Sequence, residues 1–163
     1  MNTKTHTFAN AVAMIFTLAI VPALAFGQDI KNTLVGVWQV SAAATVDCET
    51  GQPDGSPPVR VNYSFNQGGT MTEEEANPFD GPYRASAQGI WKRLSGRDYT
   101  AMYTNFAFDP DRSLAVIVKQ KTNMTLSEDA NSFKEHGSFE ISLPDGPVIV
   151  SGCFADTATR MTF

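Results

Sequence analysis

The 163-residue sequence is poor in the residues that build metal centres and nucleophilic active sites. It holds two cysteines, Cys48 and Cys153, and two histidines, His6 and His136. His136 falls on the predicted solvent face of a strand, so a transition-metal or haem ligand is not expected there. Gly-X-Ser-X-Gly, phosphate-binding glycine-loop and His-Glu-X-X-His motifs are also missing. The motifs therefore assign no catalytic group, and no metal or other cofactor is expected.

Positive charge is scarce as well. The chain has 12 Lys and Arg against 17 Asp and Glu, a net charge of −5. Nucleic-acid binding requires a basic patch that neutralises phosphates, and an anionic lipid surface requires a basic amphipathic face. Neither pattern occurs, which excludes a nucleic-acid partner and argues against a membrane surface.

One long apolar run is present, at residues 11–25. It ends on Ala23-Leu24-Ala25, a small-X-small cleavage pattern, and it is shorter than the roughly 20 residues that span a bilayer. This is the layout of a secretory signal peptide, with cleavage after Ala25 or as late as residue 28. We predict a signal peptide at 1–25, one domain at 26–163, no membrane span in the mature chain and a secreted or periplasmic location.

The rest of the chain has no apolar stripe at helical spacing. Instead, β-branched and aromatic residues alternate with polar ones in runs separated by turn signals. Eight strands are predicted, at residues 34–47, 59–66, 70–75, 85–94, 97–109, 112–126, 131–143 and 148–162. Their short connections predict an all-β, antiparallel, up-and-down barrel whose interior can hold one small ligand.

The first and last predicted strands carry the most specific residues. Gly36-Val37-Trp38 begins the first strand and Cys48 follows it, while Cys153 and Arg160 belong to the last. In an exported chain the two cysteines are expected to form a disulfide, which would place the chain ends side by side.

With these residues the sequence resembles the lipocalin-like (calycin) barrels over nearly the whole mature chain. The resemblance implies that Trp38 closes the barrel base, that Arg160 packs over its indole and that Gly36 permits a close approach. A second resemblance is to the barrels of the allene-oxide-cyclase and dirigent type, and it implies an enzyme that catalyses or steers cyclisation.

Strand alternation predicts which side chains face the interior. Tyr99 and Tyr103 are expected to point outward. The side chains expected to line the interior and contact a ligand are Tyr63, Phe65, Trp91, Met102, Phe106, Gln120, Met124, Glu135 and Phe139. They could surround an adaptable apolar cavity or simply fill a small barrel, and the sequence favours neither.

Two glutamates are the candidate catalytic groups. Glu135 shares the inward face of its strand, and a buried carboxylate must be paired, hydrogen-bonded or protonated. It could be a general acid or base or a ligand anchor, or it could pair with Arg93 or be turned outward by a bulge. Glu73 is the second candidate, although the acidic run 73–75 could equally form a solvated rim.

Three functions follow from these residues. The first is binding of a small, largely apolar ligand, oriented by Glu135 and Gln120. The second is a barrel isomerase or cyclase in which Glu135 or Glu73 moves a proton. The third is a solid barrel with a structural or interaction role, in which the loop at 76–84 is the contact surface. The sequence leaves the oligomeric state open.

Overall fold

A computed structural model describes residues 33–55, 59–76 and 83–163 of the chain. The predicted signal peptide lies outside the described residues, as does the central part of the predicted 76–84 contact loop. Within the described part, no helix is long and apolar enough to cross a membrane.

All regular structure in these residues is β-strand. The strands are β1 Gly36–Val46, β2 Val59–Phe65, β3 Thr70–Ala76, β4 Tyr83–Arg84, β5 Ala87–Ser95, β6 Asp98–Phe108, β7 Leu114–Leu126, β8 Ser132–Ser142 and β9 Val148–Arg160. Their order in the sheet is β4-β6-β5-β3-β2-β1-β9-β8-β7, and β6 also pairs with β7. Eight antiparallel strands thus form a closed barrel, which confirms the predicted fold class. The two-residue β4, predicted as loop, pairs with the end of β6 beside β5.

The barrel closes where its first and last strands meet. β1 pairs with β9 from Trp38 opposite Arg160 to Val46 opposite Cys153. Cys48 and Cys153 form a disulfide with their Cα atoms 5.2 Å apart. The predicted disulfide and the adjacency of the chain ends are therefore both confirmed.

One end of the barrel is closed by a dense core, called here the base. Its fully buried side chains include Trp38, Phe65, Met71, Tyr99, Met124, Leu126 and Phe133. The rings of Trp38 and Phe133 meet edge to face with centroids 5.0 Å apart. The Arg160 guanidinium lies over the indole of Trp38, 4.1 Å from its centroid, so the contact implied by the resemblance is present.

The inward face predicted for β6 is wrong. Tyr99 and Tyr103 are buried, whereas Met102 is 56% exposed and Phe106 is 42% exposed. The inward residues of this strand alternate between tyrosines and smaller side chains, and Tyr103 is able to bury its hydroxyl because that group is hydrogen-bonded inside. Met102 instead lines a shallow groove on the outer wall with Ile90.

Candidate functional site

Above the base, the barrel interior contains a cluster of polar side chains from six strands. We call it the polar cluster; its members are Tyr63, Glu73, Tyr103, Gln120, Thr122, Glu135 and Asp156. All of them lie at inward positions of their strands. Regular strand alternation therefore brings together residues that are up to 93 positions apart in sequence (63 to 156).

A chain of hydrogen bonds crosses the barrel at this level. The hydroxyl oxygens of Tyr63 and Tyr103 are 3.0 Å apart. Tyr103 also donates to Oε1 of Gln120 at 3.3 Å, and Nε2 of Gln120 donates to Oε2 of Glu73 at 3.4 Å. Because β3 and β7 are not neighbours in the sheet, the last of these bonds joins separate walls. The polar cluster is thus a floor across the lumen, and at this level the side chains fill the barrel.

Glu135 is the most enclosed acid of the cluster, with 3% of its surface exposed. Its Oε2 accepts a hydrogen bond from Oγ1 of Thr122 at 2.9 Å. On the other side it stands directly opposite Asp156 of β9. Its Oε1 is buried and accepts no hydrogen bond of ordinary geometry from the described residues. One oxygen of this carboxyl is therefore held in place, while the other is available to a further donor.

Burial shifts the acidity of both glutamates in the same direction. For Glu135, desolvation and then the charge of Asp156 raise the pKa to about 8, against the effect of the Thr122 and Tyr63 hydroxyls. For Glu73, desolvation and then the charge of Glu75 raise the pKa to about 8. Both carboxyls are therefore mainly protonated at neutral pH, where each can donate a hydrogen bond or release a proton.

The alternatives considered for these glutamates are wrong. The pairing of β8 is regular around Glu135, so no bulge turns it outward. Arg93 does not pair with it; Nε of Arg93 donates to the carbonyl of Gly96 at 2.5 Å. Glu73 is 5% exposed and does not belong to a solvated rim. It is Glu75 that reaches the rim, in an ion pair with Arg84 at 2.6 Å.

Between the polar cluster and the opposite end, called here the mouth, the inward residues become mainly apolar or small, with Asn105 of β6 as a buried polar residue among them. The lining includes Ala87, Ala107, Val118, Gly137, Phe139, Ile141, Gly152 and Phe154. Phe154 stands opposite Gly137, and Phe139 stands opposite Gly152. Each ring lies so close to its glycine that an added Cβ would be 2.5 Å from Phe154 or 2.6 Å from Phe139. The rings therefore lie along the wall, where the glycines make room for them.

The mouth itself has an apolar wall that water reaches. The hairpin of β8 and β9 carries Ile141 opposite Val150, and the register shifts beyond this pair, so that Val148 stands opposite Ser142. Val150 is 47% exposed, whereas the side chains that form the base are almost fully buried. One end of the barrel is thus closed and the other presents an accessible apolar surface above the polar cluster.

The predicted site residues separate into three groups in the structure. Those near the polar cluster or on its mouth side are Tyr63, Glu73, Gln120, Glu135 and Phe139. Those in the base are Phe65, Met124 and Trp91, whose Nε1 donates to the carbonyls of Asn66 and Thr70. Those on the outer wall are Met102 and Phe106.

Several interior residues were not expected from the sequence. Tyr103 was expected to point outward, and Asn105 and Asp156 were not among the predicted interior groups. His136 is exposed on the outer face of β8, as predicted.

No family model matches this chain, and no curated protein matches it in sequence. Among the described residues, no group of three or more His, Cys, Asp or Glu side chains is arranged to hold a metal ion.

Proposed function

We propose that this protein is an exported, lipocalin-like barrel that binds a small, largely apolar ligand in the mouth half of its interior. The observation that carries the proposal is the apolar wall of Phe139, Ile141 and Phe154, which runs from the accessible Val150 at the mouth to a buried polar floor. Binding sites for small molecules combine such apolar walls with a few fixed polar groups. Glu135 and Gln120 are the groups that would orient the polar end of the ligand.

Two further findings support export and a lipocalin-like origin. The disulfide between Cys48 and Cys153 fits an oxidising compartment, because cytosolic thiols are normally kept reduced. The closed eight-stranded barrel, with Arg160 over Trp38 at its base, agrees with the resemblance found in the sequence.

The first test is native mass spectrometry of protein purified from its own host, followed by organic extraction. A co-purifying small molecule is expected. Binding of a neutral lipophilic dye, N-phenyl-1-naphthylamine, is then compared between the wild type and I141W, which places a bulky ring in the mouth. I90W is the matched control, since Ile90 lies on the outer wall. Equal dye affinity in I141W and the wild type would show that the ligand does not occupy the mouth half.

A second candidate is a barrel isomerase or cyclase, favoured by one observation. The carboxyl of Glu135, with its pKa of about 8, lies 2.9 Å from the Thr122 hydroxyl in a water-poor interior. An acid whose pKa is close to the working pH is suited to proton transfer. The test is incubation of the extracted ligand pool with wild type or E135Q, followed by mass spectrometry. A product formed by the wild type alone would favour the enzyme, whereas binding without conversion would favour the binding protein.

A further inference from the structure

We propose that the ligand carries an organic ammonium group at its polar end, which Glu135 and Asn105 hold at the bottom of the mouth half. The chemical class is an amphiphilic amine, with one cationic nitrogen on an apolar body. This inference rests on the proposed function, because it concerns the ligand of the same interior.

The first argument is the sign of the buried charge. The buried charged residues in the described ranges are Glu73, Glu135 and Asp156, and all three are acidic. Two described arginines near the ends of the barrel are engaged with other groups, Arg84 with Glu75 at the rim and Arg160 over Trp38 at the base. Acidic groups that share a site disfavour each other's ionisation, and a positive charge placed among them relieves that repulsion. A cationic head group placed beside Glu135 would favour ionisation of its carboxyl, which is mainly protonated in the ligand-free barrel, and would pair with the carboxylate so formed, whereas an anionic head group would oppose that ionisation.

The second argument is independent of charge and concerns hydrogen bonding. Two buried oxygens, Oε1 of Glu135 and Oδ1 of Asn105, accept no hydrogen bond of ordinary geometry from the described residues. Asn105 is fully buried on β6, one inward position nearer to the mouth than Tyr103. Buried polar atoms of native proteins normally find partners, so two orphaned acceptors point to a missing donor. An ammonium group carries up to three donors and no acceptor.

The third argument distinguishes an organic amine from a metal ion. The described residues provide no cluster of three or more metal-ligating side chains. The route from the mouth is lined by Phe139, Ile141, Phe154 and Val150, which suit an apolar body and not a hydrated ion. The polar floor and the apolar wall thus match the two ends of one amphiphilic molecule.

The test is isothermal titration calorimetry at pH 7 with the full chain in its disulfide-bonded form. Three probes share one apolar body and differ in the head group: octylamine, octanol and octanoate. We expect octylamine to bind at least about tenfold more tightly than octanol, and octanoate to bind more weakly than either. E135Q should lower octylamine affinity by at least about tenfold while octanol affinity stays within about twofold.

The matched control is E140Q, since Glu140 lies on the outer face of the same strand and is exposed. It should leave the affinity for all three probes unchanged. We expect a second variant, N105A, to lower the affinity for octylamine but not for octanol or octanoate. It keeps the inference testable if E135Q does not fold. Equal affinity for octylamine and octanol would overturn the ammonium assignment and leave the proposed binding function standing. Failure of every probe to bind would overturn both.

Discussion

Arg160 and Trp38 join the last strand of the barrel to the first through the face of an indole. The guanidinium donates to the carbonyl oxygens of Thr33, Val35 and Ala130 while its Cζ lies 4.1 Å from the ring centroid. We expect R160A to lower the free energy of unfolding by about 2–4 kcal/mol, because it removes the cation–π contact and leaves three carbonyls without their donor. Urea unfolding followed by tryptophan fluorescence measures the change.

The control for this prediction is R97A. The Arg97 side chain forms an exposed ion pair with Glu128 at 3.6 Å, so its loss should cost less than about 1 kcal/mol. R160K keeps the charge but loses the planar fork, and we expect it to fall between R160A and the wild type. If R160K were as stable as the wild type, positive charge alone would explain the role of Arg160.

Gly137 is a second position that affects stability, because the ring of Phe154 packs directly against its backbone. A Cβ at this residue would be 2.5 Å from the ring of Phe154 and would also clash with the carbonyl oxygen of Lys121. We expect G137A to destabilise the protein by about 1–3 kcal/mol, because the backbone and the ring cannot both move away. S138A, next to it on the outer face, should change stability little. Equal melting temperatures for the two variants would contradict this account of the aromatic wall.

The closed barrel could be predicted from the sequence because its determinants are local or lie at the chain ends. Alternation with a period of two identifies each strand, and short turns impose antiparallel neighbours. The pairing of Cys48 with Cys153 then places the last strand beside the first without any knowledge of the register.

The face of β6 could not be predicted in the same way. Met102 and Phe106 are more hydrophobic than Tyr99 and Tyr103, so a ranking by hydrophobicity turns the strand the wrong way round. The structure buries Tyr103 because Tyr63 and Gln120 supply partners for its hydroxyl. Those partners lie on other strands, and their position depends on the register of the whole barrel.

The polar cluster was only partly predictable for a related reason. Glu135 could be predicted because it lies on the same face of its strand as Phe133 and Phe139. Glu73 lies in a run of three glutamates, so the inward and outward positions of the strand carry the same residue type and the sequence does not show which of them is buried. Asp156 lies between small residues, and its importance becomes visible only when it is paired across strands with Glu135.

The disulfide yields a third prediction. Cys48 and Cys153 are separated by 105 positions, so the bond removes a large amount of conformational freedom from the unfolded chain. The chain-entropy relation gives a stabilisation of up to about 4–5 kcal/mol for a loop of this length. The double variant C48S/C153S should therefore melt at a lower temperature, and wild type treated with dithiothreitol should match it. If dithiothreitol also lowered the melting temperature of the double variant, its effect on the wild type could not be assigned to the Cys48–Cys153 disulfide.

The buried glutamates yield a prediction about pH. The pKa values of Glu73 and Glu135 rise from 4.5 to about 8 on folding, so the folded state holds their protons more tightly than the unfolded state does. The stability that the protonated forms of these two glutamates contribute to the folded state is fully present below about pH 4.5. It is lost progressively as the pH rises through 8. Each unit of raised pKa corresponds to about 1.4 kcal/mol. We therefore expect the free energy of unfolding to decrease by several kcal/mol between pH 5 and pH 8.

Urea unfolding at pH 5, 6.5 and 8 tests this dependence. E135Q should show a smaller decrease in the free energy of unfolding between pH 5 and pH 8, because a glutamine cannot ionise. Its side-chain oxygen can still accept the hydrogen bond of Thr122. E140Q should keep the full slope, since Glu140 is exposed on the outer face of the same strand. If E135Q and E140Q showed the same slope, Glu135 would not hold its proton in the folded barrel, and the pH dependence would have to arise from Glu73 or another group.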